Sequence, residues 1–186
     1  MGAMKPSIKC TVTALLLSVG ISLPVSAQTV VLDDLFSQLQ SADPAQAMRL
    51  VGRIQEEWGK SGSPSIDLLL KRGQDALLLG SFESAIDHFT AAIDHDPEFA
   101  EAYNGRATAY YMADEIGPSI ADIRKTLELN PRHFGAMIGF AAILEEIERP
   151  EAALEVYREV SALVPADGNV QEAIDRLEQE LEGQSL

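Results

Sequence analysis

The sequence predicts an all-α protein, an α-solenoid of antiparallel helix pairs. The first sign is an even spacing of Pro97, Pro131 and Pro165 along the chain. The second is the setting of each proline. A small residue lies twelve positions ahead (Ala85, Ser119, Ala153), a bulky one eight ahead (Phe89, Ile123, Tyr157) and a modest one five ahead (Ala92, Thr126, Val160). A fixed period of this size, about 34 residues, marks a repeat array in which each unit is one supersecondary element. The third is composition. Ala, Leu, Glu and Arg, the better helix formers, are frequent, and aromatics make up only 6% of the 186 residues. Apolar residues make up 46%, enough for a core.

Residues 1–27 read as a secretory signal peptide. Lys5 and Lys9 form a positive start, Cys10 to Leu23 is mostly apolar around Leu15, Leu16 and Leu17, and Pro24 breaks the run. Val25, Ser26 and Ala27 then offer small residues for cleavage. The run is short for a spanning helix and holds Ser18, Gly20 and Ser22. The expectation is a periplasmic or secreted product with no stable membrane insertion after cleavage. Cys10, the only cysteine, would leave with the segment. The remaining chain would then have neither a disulfide nor a thiolate metal site, as suits an oxidising compartment.

Residues 28–65 form a helical lead-in. Leu32, Leu35, Phe36 and Leu39 recur at helix spacing, and Asp43-Pro44 supplies a cap with proline at the first helical position. Ala47, Leu50, Val51, Ile54 and Trp58 share one face of a second helix, which the turn formers Ser61 to Pro64 end. The pair reads as a degenerate repeat that covers the open end of the stack, with Trp58 a packing residue.

The next three segments, 66–99, 100–133 and 134–165, resemble tetratricopeptide repeats, helix–turn–helix units of about 34 residues. The first unit places Leu69, Arg72, Gly73, Ala76, Ala85, Phe89, Ala92 and Pro97 at the positions that family marks. The second places Tyr103, Arg106, Ala107, Tyr110, Ser119, Ile123, Thr126 and Pro131 there. The third places Met137, Phe140, Ala141, Leu144, Ala153, Tyr157, Val160 and Pro165. Arg72 and Arg106 stand where the family has leucine. Small residues at Gly73, Ala107 and Ala141 let the two helices of a unit approach, and Phe89, Ile123 and Tyr157 fill the space between units. The prolines end the second helices. Gly80 and Gly117 are expected in the intra-unit turns, where positive φ suits glycine. Residues 166–186 form a capping helix and tail. Val170, Ala173, Ile174, Leu177 and Leu181 face inward, and Glu172, Asp175, Glu178, Glu180 and Glu182 face water.

Fourteen Lys and Arg against 29 Asp and Glu leave a net charge of −15. Such a field repels nucleic acid and anionic membranes, and no basic stripe breaks it. No G-x-S-x-G elbow, phosphate-cradling loop or H-E-x-x-H motif occurs. His88 and His95 share a helix face with Asp87, Asp94 and Asp96 nearby, but ligands seven apart lie two turns away. Glu145 and Glu146 read as solvated charge. No enzyme, cofactor or metal is expected.

What remains is a surface. The resemblance implies a concave face built from Asp67, Leu70, Gln74, Leu77 and Leu78, then Glu101, Asn104, Thr108, Tyr111 and Met112, then Gly135, Ile138, Ala142, Glu145 and Glu146. Some proteins of that family grip a terminal carboxylate with a lysine–asparagine clamp, and Leu70 and Gln74 replace it here. The expected function is a non-catalytic interaction module or scaffold. It binds a protein or peptide segment, apolar or weakly basic, through Leu70, Gln74, Leu77, Asn104, Thr108, Tyr111, Met112 and Ile138, in cell-envelope assembly or regulation. Self-association into a homo-oligomer is the alternative, and a metal-dependent activity the third reading.

Overall fold

The computed structural model describes residues 27–184, so the expected signal segment lies outside the described residues except for Ala27. Those residues form nine α-helices and no strand. None of these helices is long and apolar enough to cross a membrane. The chain is an all-α solenoid of helix pairs. Three pairs make the array: α3 (Pro64–Leu78) with α4 (Phe82–His95), α5 (Ala100–Met112) with α6 (Ile116–Leu129), and α7 (Phe134–Glu146) with α8 (Pro150–Leu163). The chain order places α1 (Ala27–Leu39) and α2 (Pro44–Trp58) before the array and α9 (Gly168–Gln184) after it.

Each turn has a local cause. Asp96, Asn130 and Val164 precede the three prolines and cap α4, α6 and α8 outside the helical region, the first two extended and Val164 at φ −130° and ψ 72°. A residue before proline is pushed out of the α region, so the helix ends there. Within each unit the first helix ends on a residue of positive φ: Gly80 at 69°, Asp114 at 62° and Glu148 at 57°. The next N–H reaches back along the helix in each case, Ser81 to Ala76 O, Glu115 to Tyr110 O and Arg149 to Leu144 O, at 2.8–2.9 Å. This is a Schellman ending, repeated once in every unit. Gly117 therefore does not hold the left-handed position. It lies in the first turn of α6, and Asp114 takes the strained conformation.

The core falls into three clusters. In the first unit, Phe89 is fully buried between Gly73 of its own unit and Gly105 of the next. A Cβ on either glycine would come within 2.5 Å of the ring. The second junction is smaller, around Ala107, Ile123 and Ile143. The largest cluster joins α7, α8 and α9 to the lead-in.

The lead-in does not cover the open end of the first unit. Its buried residues, from Leu35 to Trp58, pack in one cluster with Phe134, Val164, Val170 and Ile174. Trp58 stacks on His133 at 4.3 Å and lies 4.8 Å from Phe134. Arg132 covers the Phe36 ring at 4.4 Å and pairs with Asp33 at 2.7 Å. Gln40 Nε2 donates to the Ala162 and Leu163 carbonyls at the end of α8. The helix pair thus lies along the edge that carries the inter-unit turns. That edge offers the contiguous Phe134, Leu163 and Val164, whereas the middle of the outer face of α3 carries the charged Lys71, Arg72 and Asp75, with Leu68 and Leu79 only at its two ends. An apolar stripe is buried where apolar area is available. Gly62, at φ 83°, reverses the chain between α2 and α3, and Asp67 Oδ1 ties the turn by accepting from Ser61 N and Oγ.

Candidate peptide-binding groove

The inner face of the array is built from first helices. Between α5 and α7 it holds a cavity of about 120 Å³. Asn104, Thr108 and Tyr111 line it from α5, and Gly135, Gly139 and Ala142 from α7. Buried Ala107, Ile123 and Ile143 form its floor. The cavity has a cause in the repeat. Gly139 holds in the third unit the place of Gly105 in the second, and Ile123 holds in the second the place of Phe89 in the first. At the first junction the phenyl ring fills the space over the glycine. At the second the shorter isoleucine leaves it empty, and a Cβ on Gly139 would meet nothing within 4 Å.

Polar groups frame this apolar space. Thr108 Oγ1 donates to Asn104 O at 3.0 Å, and Asn104 Nδ2 donates to Glu101 Oε1 at 3.5 Å. The other Glu101 oxygen meets His133 Nε2 at 2.8 Å. His133 Nδ1 accepts the Ala136 N–H, capping α7, so Nε2 carries the hydrogen and donates to Glu101. A buried histidine thereby holds Glu101 and the start of α7 in place. At the far end, the negative charge and the hydrogen bond of Glu146 push the Tyr111 phenol above its ordinary value.

The expected groove residues do not stay together. Asn104, Thr108 and Tyr111 converge on the cavity. Met112, 53% exposed, ends α5 outside its lining. Ile138 is partly buried against the large cluster that joins α7, α8 and α9 to the lead-in. Leu77 is half-buried against the first unit's core and Gln74 is exposed. Leu70 is a correction: at 4% exposure it belongs to that core, with Ile66, Ala76 and Phe89, and offers no surface to a ligand. Glu145 is not merely solvated. It accepts from Tyr157 Oη at 2.9 Å and pairs with Arg176 at 2.7 Å, joining α7, α8 and α9. No group of three or more His, Cys, Asp or Glu suited to a metal occurs among the described residues.

Two residues that stand where leucine is usual behave differently. Arg72 is exposed. Arg106 is a junction clamp. Its Nε and one terminal nitrogen meet the two oxygens of Asp122 at 2.7 and 2.9 Å, and the other donates to Thr90 at 3.1 Å. Tyr103 and Tyr110 face its guanidinium at 5.6 and 5.9 Å. Asp122 holds the Arg106 charge in place and raises its affinity for the proton. The signal for this clamp was in the sequence: an arginine at a core position and an aspartate one helix later.

A family profile described as tetratricopeptide repeat matches residues 70–116. A TPR repeat-containing protein of Rhizobium etli is 36% identical over 153 residues, which is 82% of this chain and 75% of that protein. The chain belongs to the tetratricopeptide repeat family. This TPR protein also matches the Hsp70-Hsp90 organizing protein 1 of Glycine max, 29% identical over 105 residues, but spans only 18% of it. Among solved structures, the first TPR domain of Spaghetti (RPAP3), bound to the HSP90 peptide SRMEEVD, superposes with a TM-score of 0.61 at 23% identity. The match covers 64% of this TPR chain and 98% of that one. The TPR2B domain of yeast Sti1, in a complex with pHsp70, gives 0.57 at 22% identity over 63% and 99%. Likeness at this identity speaks for the fold alone.

Proposed function

We propose that this TPR protein is a non-catalytic interaction module that takes a peptide segment of a partner protein into the groove between α5 and α7. The observation that carries this is the unfilled space over Gly139, apolar at its floor and edged by Asn104, Thr108 and Tyr111. Such a groove accepts side chains while its polar rim meets the backbone of an extended or helical segment. The TPR neighbour with a bound peptide supports the class of action. Its acidic peptide does not transfer, because the inner face of this chain carries Glu101 and Glu146 and lacks the lysine–asparagine clamp. The segment taken is apolar or weakly basic. Export supports a role in the cell envelope, in assembly or regulation of a complex, and it rests on residues 1–27. Intact mass of the chain from a periplasmic fraction should place its first residue at Gln28; an uncleaved chain in the cytosol contradicts export.

Gly139→Leu tests the groove. The substitution raises helix propensity by roughly 1 kcal/mol and adds its side chain to open space, so the fold is kept. Peptides selected from a displayed library on the wild-type chain should lose about tenfold or more in affinity, which is about 1.4 kcal/mol, on the variant. Equal affinity for both chains contradicts the groove.

A further inference from the structure

The lead-in lies along the turn edge, so among the described residues no helix stacks on the outer face of the first unit. In the second unit the corresponding junction is filled. Arg106 reaches across it to Thr90 on the preceding α4. Arg72, its counterpart in the first unit, points to the equivalent junction, where a shallow cavity of about 420 Å³ lies among Arg72, Ala76, Leu79, Ser84 and His88. Leu68 is 48% exposed and Leu79 81% exposed at the two ends of this face. Repeat units are built to stack, and a large exposed apolar residue at a vacant junction marks a contact surface.

The order of residues on α3 identifies the occupant. Leu68, Arg72, Asp75 and Leu79 lie along one stripe at helical spacing. Leu68 and Leu79 are equidistant from the point between Gly73 and Gln74, and so are Arg72 and Asp75. Two copies of α3 packed antiparallel about that point would set Leu68 against the partner's Leu79, and Arg72 against the partner's Asp75. That is the self-complementarity a twofold interface demands. Asp75 is held by Lys71 of its own helix at 2.8 Å, with its side chain 53% exposed. An exposed pair of this type is worth only a few tenths of a kcal/mol, so the carboxylate is available to a second cation. Lys71 and Arg72 also offset the acidity that elsewhere drives two copies apart. We propose that this face is a homodimer interface in which α3 packs antiparallel against α3 of a second copy, leaving the groove between α5 and α7 outside the contact.

Sedimentation equilibrium of the full-length chain between about 1 and 100 μM tests this, since that range spans a micromolar dissociation constant. The wild type should populate a dimer that dissociates on dilution. Leu79→Glu should be monomeric throughout. Arg72→Asp and Asp75→Arg should each weaken the dimer about tenfold or more through like-charge contact, and the two together should restore it. A wild type that stays monomeric overturns the proposal. So does a dimer indifferent to Leu79→Glu, one broken by Gly139→Leu instead, or a doubly exchanged variant no stronger than the single ones. A monomer with an intact groove leaves the interaction role standing, so the two failures are told apart.

Discussion

Phe89 is fully buried with Gly73 on one side and Gly105 on the other, and neither glycine leaves room for a Cβ beside its ring. A methyl group at Gly105 must displace a fully buried ring, so Gly105→Ala should destabilise the protein by about 1–3 kcal/mol despite its better helix propensity. Urea unfolding followed by circular dichroism measures this. Glu148 is the opposite case. It is exposed, yet held at φ 57°, where a side chain costs about 1–2 kcal/mol. Glu148→Gly should therefore raise the unfolding free energy, and Asp114→Gly should gain less, since aspartate tolerates this conformation better. Gly73 was legible from the repeat, as a small residue at a marked position. Gly105 was not, because its partner ring lies on the preceding unit. Gly117 does not mark the strained turn, because the repeat carries the place of Gly80 onto Asp114 and residue type alone does not report that register.

At the scale of elements, helices are joined by polar clamps as well as apolar packing. Arg106 ties α5 to α6 and α4, and Asp122 is nearly buried beneath it. Arg106→Leu leaves that carboxylate without its partner and should cost about 3–5 kcal/mol, whereas Arg106→Leu with Asp122→Leu should recover most of the loss. A double-mutant cycle decides between this and simple packing. Tyr157 does the same work between α8 and α7. Burial, and then its bond to Glu145, pushes its phenol up to about 12, above the ordinary 10.0. The folded state thus favours the protonated phenol. That contribution is complete below about pH 10 and is lost as pH rises toward 12. Tyr157→Phe should flatten the fall in melting temperature over that interval; an unchanged slope contradicts the assignment. The helices themselves were legible, because apolar spacing and proline position are local. Where the lead-in docks was not, because Phe36 and Trp58 meet Phe134 from far along the chain, and period alone does not say which end of a stack offers apolar area.

Across the whole molecule, the array is a row of unequal junctions. The first is filled by Phe89, the second is left open over Gly139, and the third is sealed by α9 and the lead-in. Fold class was legible from the period. The groove was legible only in part: Asn104, Thr108 and Tyr111 converge, while Leu70 turns into the core, since a position averaged over a family does not report how a particular neighbour closes over it. Unequal junctions should also show in exchange. At dilutions where the chain is monomeric, amides of α3 and α4 should exchange faster than those of α7 and α8, because repeat stability is a sum of unit and neighbour terms and the first unit of the monomer lacks one neighbour. The groove itself is tested most directly by a photo-crosslinking residue in place of Thr108, expressed in the native host. The chain should capture a partner protein at that position, through a single peptide segment mapped by mass spectrometry, and Gly139→Leu should abolish the adduct. An adduct that persists with Gly139→Leu, or none at Thr108 while an outer position such as Arg124 captures the same partner, would contradict the account.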